Sequence, residues 1–366
     1  MAPFTLPKKW KLRDVLALLL PVQMALVSLF AKFPSGVECY YSEGLYPLWS
    51  QLNRMLWGWL PFSVGDLLYT AFGGWALWTT WKGLKRLRKH PWESFKYLLA
   101  TLSLVYGIFY WGWGLNYFRI PLEEKLGISS TYETQELDSL TRRLIELTNA
   151  EQLVITGDST KPVELPYSRK EVYRKTATAY KKASTDFGFL KYSFPSQKTS
   201  LYSLPLTYMG YAGYLNPFSG EAQVNGKIPA FRWPSVSAHE VGHQLGYSAE
   251  EDTNFIGYWI CIQSDDPYFR YAAYSSTLAY MLSDLRRRDP EAYERYFPKI
   301  NEGVVENYRQ LRRFWDSYEN PTEPLFKAAF DGYLKANNQS AGIASYSRVV
   351  GLIIGFDRQY GLFPQP

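Results

Sequence analysis

Three apolar, aromatic-rich segments crowd the first third of this chain, and they constrain the fold more than any other feature. Residues 15–33, 64–81 and 95–115 each run about 18–21 residues, enough to cross a ~30 Å hydrocarbon layer as a helix. Their flanks fit a bilayer as well. Tyr110, Trp111, Trp113, Tyr117 and Phe118 close the third segment as an interfacial aromatic belt, and Trp75, Trp78 and Trp81 do the same for the second. Pro21 is tolerable inside a membrane helix. Asp66, near the start of the second segment, reads as an interfacial group rather than part of an ion pathway. Buried core helices of a soluble protein would not need such flanks. The basic start (Lys8, Lys9, Lys11 and Arg13) before an apolar run also fits a signal peptide. No clear small-residue cleavage site follows it, so a retained anchor is expected.

Positive charge sets the orientation. The N-terminus is basic, and the loop 82–96 carries Lys82, Lys85, Arg86, Arg88, Lys89 and Lys96. The loop between the first two segments has only Arg54, with Glu38 and Glu43. The N-terminus and the 82–96 loop are therefore expected in the cytoplasm, with everything after about Asn116 outside. The division of charge agrees. Residues 1–115 hold 12 Lys/Arg against 5 Asp/Glu, and residues 116–366 hold 28 against 29. The positive excess belongs to topology, and no basic domain stands behind the run at 82–90, so no nucleic-acid partner is expected. His90 reads as a polar loop residue. Cys39 and Cys261 would both lie outside, and no CxxC spacing occurs. That excludes a disulfide framework and argues against a thiolate metal site, while a single bridge between them stays open.

The outer part, 116–366, reads as mainly helical. Leu137, Leu140, Leu144, Ile145 and Leu147 repeat at helical spacing, and 168–187 forms a second helix. Residues 206–225 differ, being rich in Tyr and Gly, and predict two short strands around the turn signals Asn216-Pro217 and Gly220. Further helices are expected over 271–288, 300–318, 324–335 and 345–360. Arg286–Arg288 and Arg312-Arg313 read as solvated faces.

Within this outer part lies 239-HEVGH-243, which takes two of the chain's three histidines. Ser235 reads as the N-cap of its helix and Gly246 as the residue just past its end. Positions i and i+4 share a helix face, so His239 and His243 can present two imidazoles to one zinc ion. Glu240 sits on the adjoining side, where it can take a proton from a metal-activated water and pass it to a leaving amine. Gly242 leaves room for another backbone or a substrate. The spacing supplies ligand, base and ligand in little more than one turn.

His90 lies across the membrane, so the third ligand must be a carboxylate: Glu250, Glu251 or Asp252. Ser248 and Glu251 fit a capping box, which gives Glu251 a structural task and leaves Glu250 preferred, with Asp252 next. Asn254 follows Glu250 on the same face and is placed to hydrogen-bond a ligand. An oxyanion donor must be a tyrosine or arginine. Tyr346, with Arg348 beside it, is the candidate after the Gly/Asn/Ser-rich stretch, and Tyr271 is the rival. The alternating strand 221–225 (Glu221, Gln223, Asn225) is read as an edge that pairs with an extended substrate, or else as an ordinary hairpin packed on the helix.

The stretches at 61–66 (PFSVGD), 216–225 (NPFSGEAQVN), 239–255 (HEVGHQLGYSAEEDTNF) and 333–350 (YLKANNQSAGIASYSRVV) resemble the bacterial membrane proteins of domain-of-unknown-function family 3810. The resemblance covers most of the chain. It implies a multi-pass protein of the bacterial inner membrane with a gluzincin-like zinc peptidase domain, in which His239, Glu240, His243 and Glu250 match the family's block. The family tends to have Glu-Ala-Asn where this chain has Asp252-Thr253-Asn254, which argues against Asp252 as ligand. The expectation is thus a mainly α protein: three N-terminal transmembrane helices, then a mostly helical zincin-like metallopeptidase domain with a small β-hairpin or sheet. It would hold one Zn2+ and hydrolyse protein or peptide substrates of the envelope or membrane. The alternative is a membrane sensor or scaffold whose zinc domain binds without cutting. A solute transporter fits poorly, because the spans carry almost no charge.

Overall fold

A computed structural model describes residues 11–337 and 346–363 of the chain, without the side chains of 82–88 and 346–347. Three long helices lead it: α1 (Leu12–Phe30), then α3 (Val64–Lys89) and α4 (Pro91–Gly112), with α2 (Tyr46–Trp57) between the first two. The expected 82–96 loop does not form. Lys, Arg and Leu are good helix formers, so α3 runs on through the basic stretch. The break comes at His90 (φ −140°, ψ 67°), because the ring of Pro91 pushes the residue before it out of the helical region.

α1 and α4 pack in parallel. At one end Arg13 pairs with Glu93, and Lys96 lies 3.4 Å from Asp14. Midway Gln23 donates to Ser103 (3.3 Å), and at the other end Phe30 meets Trp111 edge-on. Of the three expected spans, only α1 is long and apolar enough to cross a membrane by length and composition among the described residues. α3 and α4 form as long helices, but their Gly, Thr, Trp and Tyr residues dilute the apolar content.

The outer part is helical, as expected. It contains α5 (Thr134–Thr156), α6 (Arg169–Ala183), α7 (Trp233–Gln244), α8 (Glu250–Ile262), α9 (Pro267–Arg288), α10 (Glu302–Asp316), α11 (Glu323–Ala336) and α12 (Tyr346–Tyr360). Its core gathers Leu137 and Leu144 of α5, Tyr180 of α6, Phe255 and Ile260 of α8 and Leu278 of α9, all fully buried. A three-stranded sheet lies against α7, in the order β1 (Gln197–Thr199), β3 (Glu221–Val224), β2 (Gly213–Asn216). β1 runs parallel to β3 and β2 antiparallel, with Tyr214 opposite Gln223. The hairpin turns where Asn216-Pro217 and Gly220 predict it. Asn216 Oδ1 accepts the amides of Phe218 and Ser219 (3.0 and 3.1 Å), and Gly220 takes φ +66°.

The stretches 61–66 and 216–225 interlock, which ties α3 to the sheet. The Glu221 carboxylate accepts the first amides of α3, Val64 N (3.2 Å) and Gly65 N (2.6 Å), where a helix favours negative charge. Asp66 is fully buried. It accepts Leu201 N (2.7 Å), Ser200 Oγ (3.1 Å) and the Tyr214 hydroxyl. A Cβ at Gly65 would sit 2.5 Å from the Asn216 side chain, so the contact admits glycine alone.

Candidate metal centre

α7 starts two residues before the expected N-cap. Pro234 fits its first turn, and Ser235 Oγ donates to Arg232 O (3.1 Å) instead of capping. Its end is as expected, with Gly246 left-handed at φ +88°. The orphan carbonyls at this end are closed by side chains from the first third of the chain. Trp113 Nε1 donates to His243 O (3.0 Å). Tyr46 and Ser50 hydroxyls donate to Gln244 O (2.9 and 3.0 Å), and Arg119 Nη1 to Gly246 O (2.9 Å). Arg54 and Arg119 also bring positive charge to the negative pole of the helix. Residues 37–57 are thus a helical brace on α7, not a simple loop between spans. Arg119 is anchored in turn by Glu38 on two prongs (2.6 and 2.8 Å), and Lys125 joins the same carboxylate (2.6 Å).

α7 and α8 cross closely. A Cβ on Gly242 would stand 3.0 Å from Thr253, and one on Gly257 would stand 2.9 Å from the His239 backbone nitrogen. The space at Gly242 therefore belongs to α8 rather than to substrate. This crossing places Glu250 against the histidines. Glu250 Oε2 lies 3.4 Å from His239 Nε2, and Oε1 lies 3.7 Å from His243 Nε2. The two rings stand 4.8 Å apart, nearly perpendicular. His243 Nδ1 donates to Tyr247 O (2.7 Å), which leaves its Nε2 as the lone-pair nitrogen facing Glu250. Ligands at ~2.0–2.1 Å in a tetrahedron stand about 3.4 Å from one another, so the two imidazoles and Glu250 have the donor types and spacing that suit one divalent ion. Glu240 also stands beside the histidines: one ligand atom each of His239, Glu240 and His243 lie within 4.8 Å of one another.

The charges reinforce one another. Burial lowers His243 to about 4, with Glu250 opposing. Burial also pushes His239 down, but Glu250 and Glu240 outweigh it and leave it raised. Burial pushes Glu250 up, and the two histidines hold it below the usual carboxylate range. Burial raises Glu240 to about 8, with His239 opposing and Glu250 adding. The buried Glu240 Oε2 and His239 Nδ1 have no hydrogen-bond partner among the described residues. Asn254 lines the cavity with His239 and favours its charged form.

The capping box that singled out Glu250 is absent. The N-cap is Ala249, Ser248 Oγ donates to Asn116 O (2.9 Å), and Glu251 pairs with Arg348 (2.9 Å). Glu251 is still occupied elsewhere, so Glu250 remains the acid at the histidines. Asp252 turns away toward Glu251 and Arg119, and burial raises it to about 7.

A cavity of about 1130 Å³ opens over these residues. Glu221, Gln223 and Asn225 do not border it. β3 is the central strand, so both its edges are already paired. Gln223 donates to Ser63 Oγ (2.6 Å) and Asn225 to Thr207 Oγ1 (2.9 Å). The strand along the cavity is the outer one, β2, through Gly213, Tyr214 and Leu215. Tyr271 is a core residue donating to Asn307 (2.6 Å). Arg348 is held by Glu251. Tyr346 opens α12, and its side chain lies outside the described residues. Tyr117, Tyr211 and Tyr333 line the cavity instead. Burial raises all three phenols and the Glu250 charge adds to it, while Tyr117 donates to Tyr333 (3.2 Å). Nothing sets them apart in a sequence of 30 tyrosines. Cys39 is exposed and Cys261 buried, both as free thiols.

Neither a curated protein nor a solved structure matches the chain. The family described as protein of unknown function DUF3810 matches residues 41–354, a span holding most of the α7 brace, the sheet, the histidine helix and Glu250, and the chain belongs to that family.

Proposed function

We propose that this protein is a membrane-anchored zinc metallopeptidase whose catalytic part faces the outside of a bacterial inner membrane. The observation that carries the reading is the convergence of His239 Nε2 and His243 Nε2 on Glu250, at 3.4 and 3.7 Å, with the unpartnered carboxylate of Glu240 alongside. His239, His243 and Glu250 would hold the ion. Zinc, when bound, lowers the pKa of its water toward ~7 and polarises a carbonyl. Glu240 takes the proton of the attacking water and delivers it to the leaving nitrogen as the C–N bond breaks; the hydroxyl stays on the carbonyl carbon. Tyr333, which accepts from Tyr117, is the phenol proposed to donate toward the developing oxyanion, whereas Tyr211 donates to Phe326 O (3.4 Å). Gly213 and its neighbours offer a strand edge to an extended substrate.

We infer that α3 and α4 cross the bilayer together with α1. Large apolar side chains stay exposed along all three, among them Leu18, Val22, Leu77, Leu98 and Val105. The parallel pairing of α1 and α4 suits the first and third of three spans. The ends that would be cytoplasmic, the starts of α1 and α4, lie together.

The test is purified full-length protein beside Glu240→Gln. Each chain is expected to carry one zinc ion by elemental analysis. Hydrolysis of envelope proteins should fall by ~10²–10⁴-fold in the variant while zinc is kept. Zinc bound with no cleavage by the unaltered protein would favour a domain that binds without cutting.

A further inference from the structure

Residues 71–77 of α3 are all exposed, about two full turns of helix. Phe72, Trp75 and Leu77 are 47%, 50% and 76% exposed, and a Cβ on Gly73 or Gly74 would meet nothing within 4 Å. A helix exposed through whole turns is exposed on the side facing its neighbour as well. Along α4, Leu102 and Val105 are also uncovered, at 45% and 49%, although α4 packs closely on α1. Over these turns α3 is thus not covered by α4, which leaves an apolar opening between the two helices. The upper end of that opening runs into the cavity over the histidines, where Tyr69 of α3 and Val105 and Phe109 of α4 form part of the same lining as His239 and Glu240. Phe326 and Phe330 of α11 border the same cavity. Its volume of about 1130 Å³ exceeds the ~300–1,000 Å³ usual for a small-molecule pocket, and it lies beside the edge strand β2, which suits a polymer.

We propose that the substrate is a polypeptide whose cleaved bond directly adjoins a membrane-embedded hydrophobic segment. That segment enters sideways between α3 and α4, and the chain next to it pairs along β2, which carries the bond to Glu240. This rests on the metallopeptidase reading of the same site. Apolar walls on one side and a polar constellation at the top match a chain that changes from hydrophobic to polar within a few residues. A soluble peptide has no use for the opening at membrane depth.

The experiment compares new protein termini in membranes of cells carrying the unaltered chain, Glu240→Gln, Gly73→Trp or Gly74→Trp. The two tryptophan variants add bulk at adjacent positions of the exposed turns, where a Cβ meets nothing within 4 Å, so the fold and the zinc content should stay intact while the opening is narrowed. Elemental analysis and hydrolysis of a soluble peptide library by the purified proteins check this. The expected result is termini that depend on Glu240 and lie within about ten residues of a hydrophobic segment. These should fall at least tenfold in both tryptophan variants, with soluble-peptide hydrolysis unchanged. Glu240-dependent termini scattered through soluble regions, or undiminished in both variants, would overturn lateral admission and leave the peptidase standing. Loss of zinc and of all Glu240-dependent termini from the unaltered protein would remove both.

Discussion

At Gly213 a hydrogen atom stands where any other residue carries carbon, and the Glu240 carboxylate occupies the space. A Cβ there would collide with Glu240 Oε1 and stand 2.7 Å from Gln223 O. Gly213→Ala should therefore displace Glu240, the proposed base, without touching the proposed ligands. Turnover is expected to drop by roughly 10²-fold, the usual cost of an ångström-scale misplacement, with zinc content unchanged by elemental analysis; loss of zinc would mean that Gly213 supports the ligands instead. The donors were legible in the sequence because their geometry is local, two turns of one helix and the first turn of the next. Glu250 was reached through a capping box that the fold does not make, since Ser248 is drawn away to Asn116 O. Glu250 stands at the histidines all the same, with Glu251 held by Arg348. The phenols Tyr117 and Tyr333 arrive from opposite ends of the chain, and no spacing announces such a meeting.

The helical brace at 37–57 and α7 act as one element. Glu38 secures it through Arg119, which also holds Gly246 O, and through Lys125, which also reaches Glu43. Burial pushes the Glu38 carboxyl up, but the two cations outweigh that and hold it below its ordinary range. A depressed carboxyl contributes fully above its unfolded value of ~4.3 and loses that contribution as pH falls through the lower folded value. Thermal unfolding of the unaltered protein and Glu38→Gln should thus differ by about 3 kcal/mol near neutral pH, the cost of leaving a buried charge without its partner. The difference should shrink below about pH 4.5; a gap constant with pH would assign Glu38 a packing role alone. At this scale the hairpin was legible from Asn216-Pro217 and Gly220, whose side-chain and backbone preferences act within four residues. β1 was not, because three polar residues become a strand only by pairing with β3, 25 residues on. The basic run at 82–89 stays helical, since charge marks a side of the membrane without breaking a helix.

At the scale of the whole molecule, the brace and the histidine helix touch, so in the proposed topology both lie outside. Cys39, exposed on the brace, reports that side, while burial pushes the Cys261 thiol up and shields it. A membrane-impermeant maleimide added to spheroplasts should label one thiol per chain, and none in Cys39→Ser; labelling only after lysis would invert the topology. The mainly helical outer part and its small sheet followed from periodicity and turn residues. The interlock of 61–66 with 216–225 did not, because it depends on where α3 stands relative to the sheet. The carbonyls closed by Tyr46, Ser50 and Trp113 have one practical result. A fragment beginning at Asn116 would leave the C-terminal end of α7 bare, so any preparation of the histidine helix must keep residues 37–115 attached.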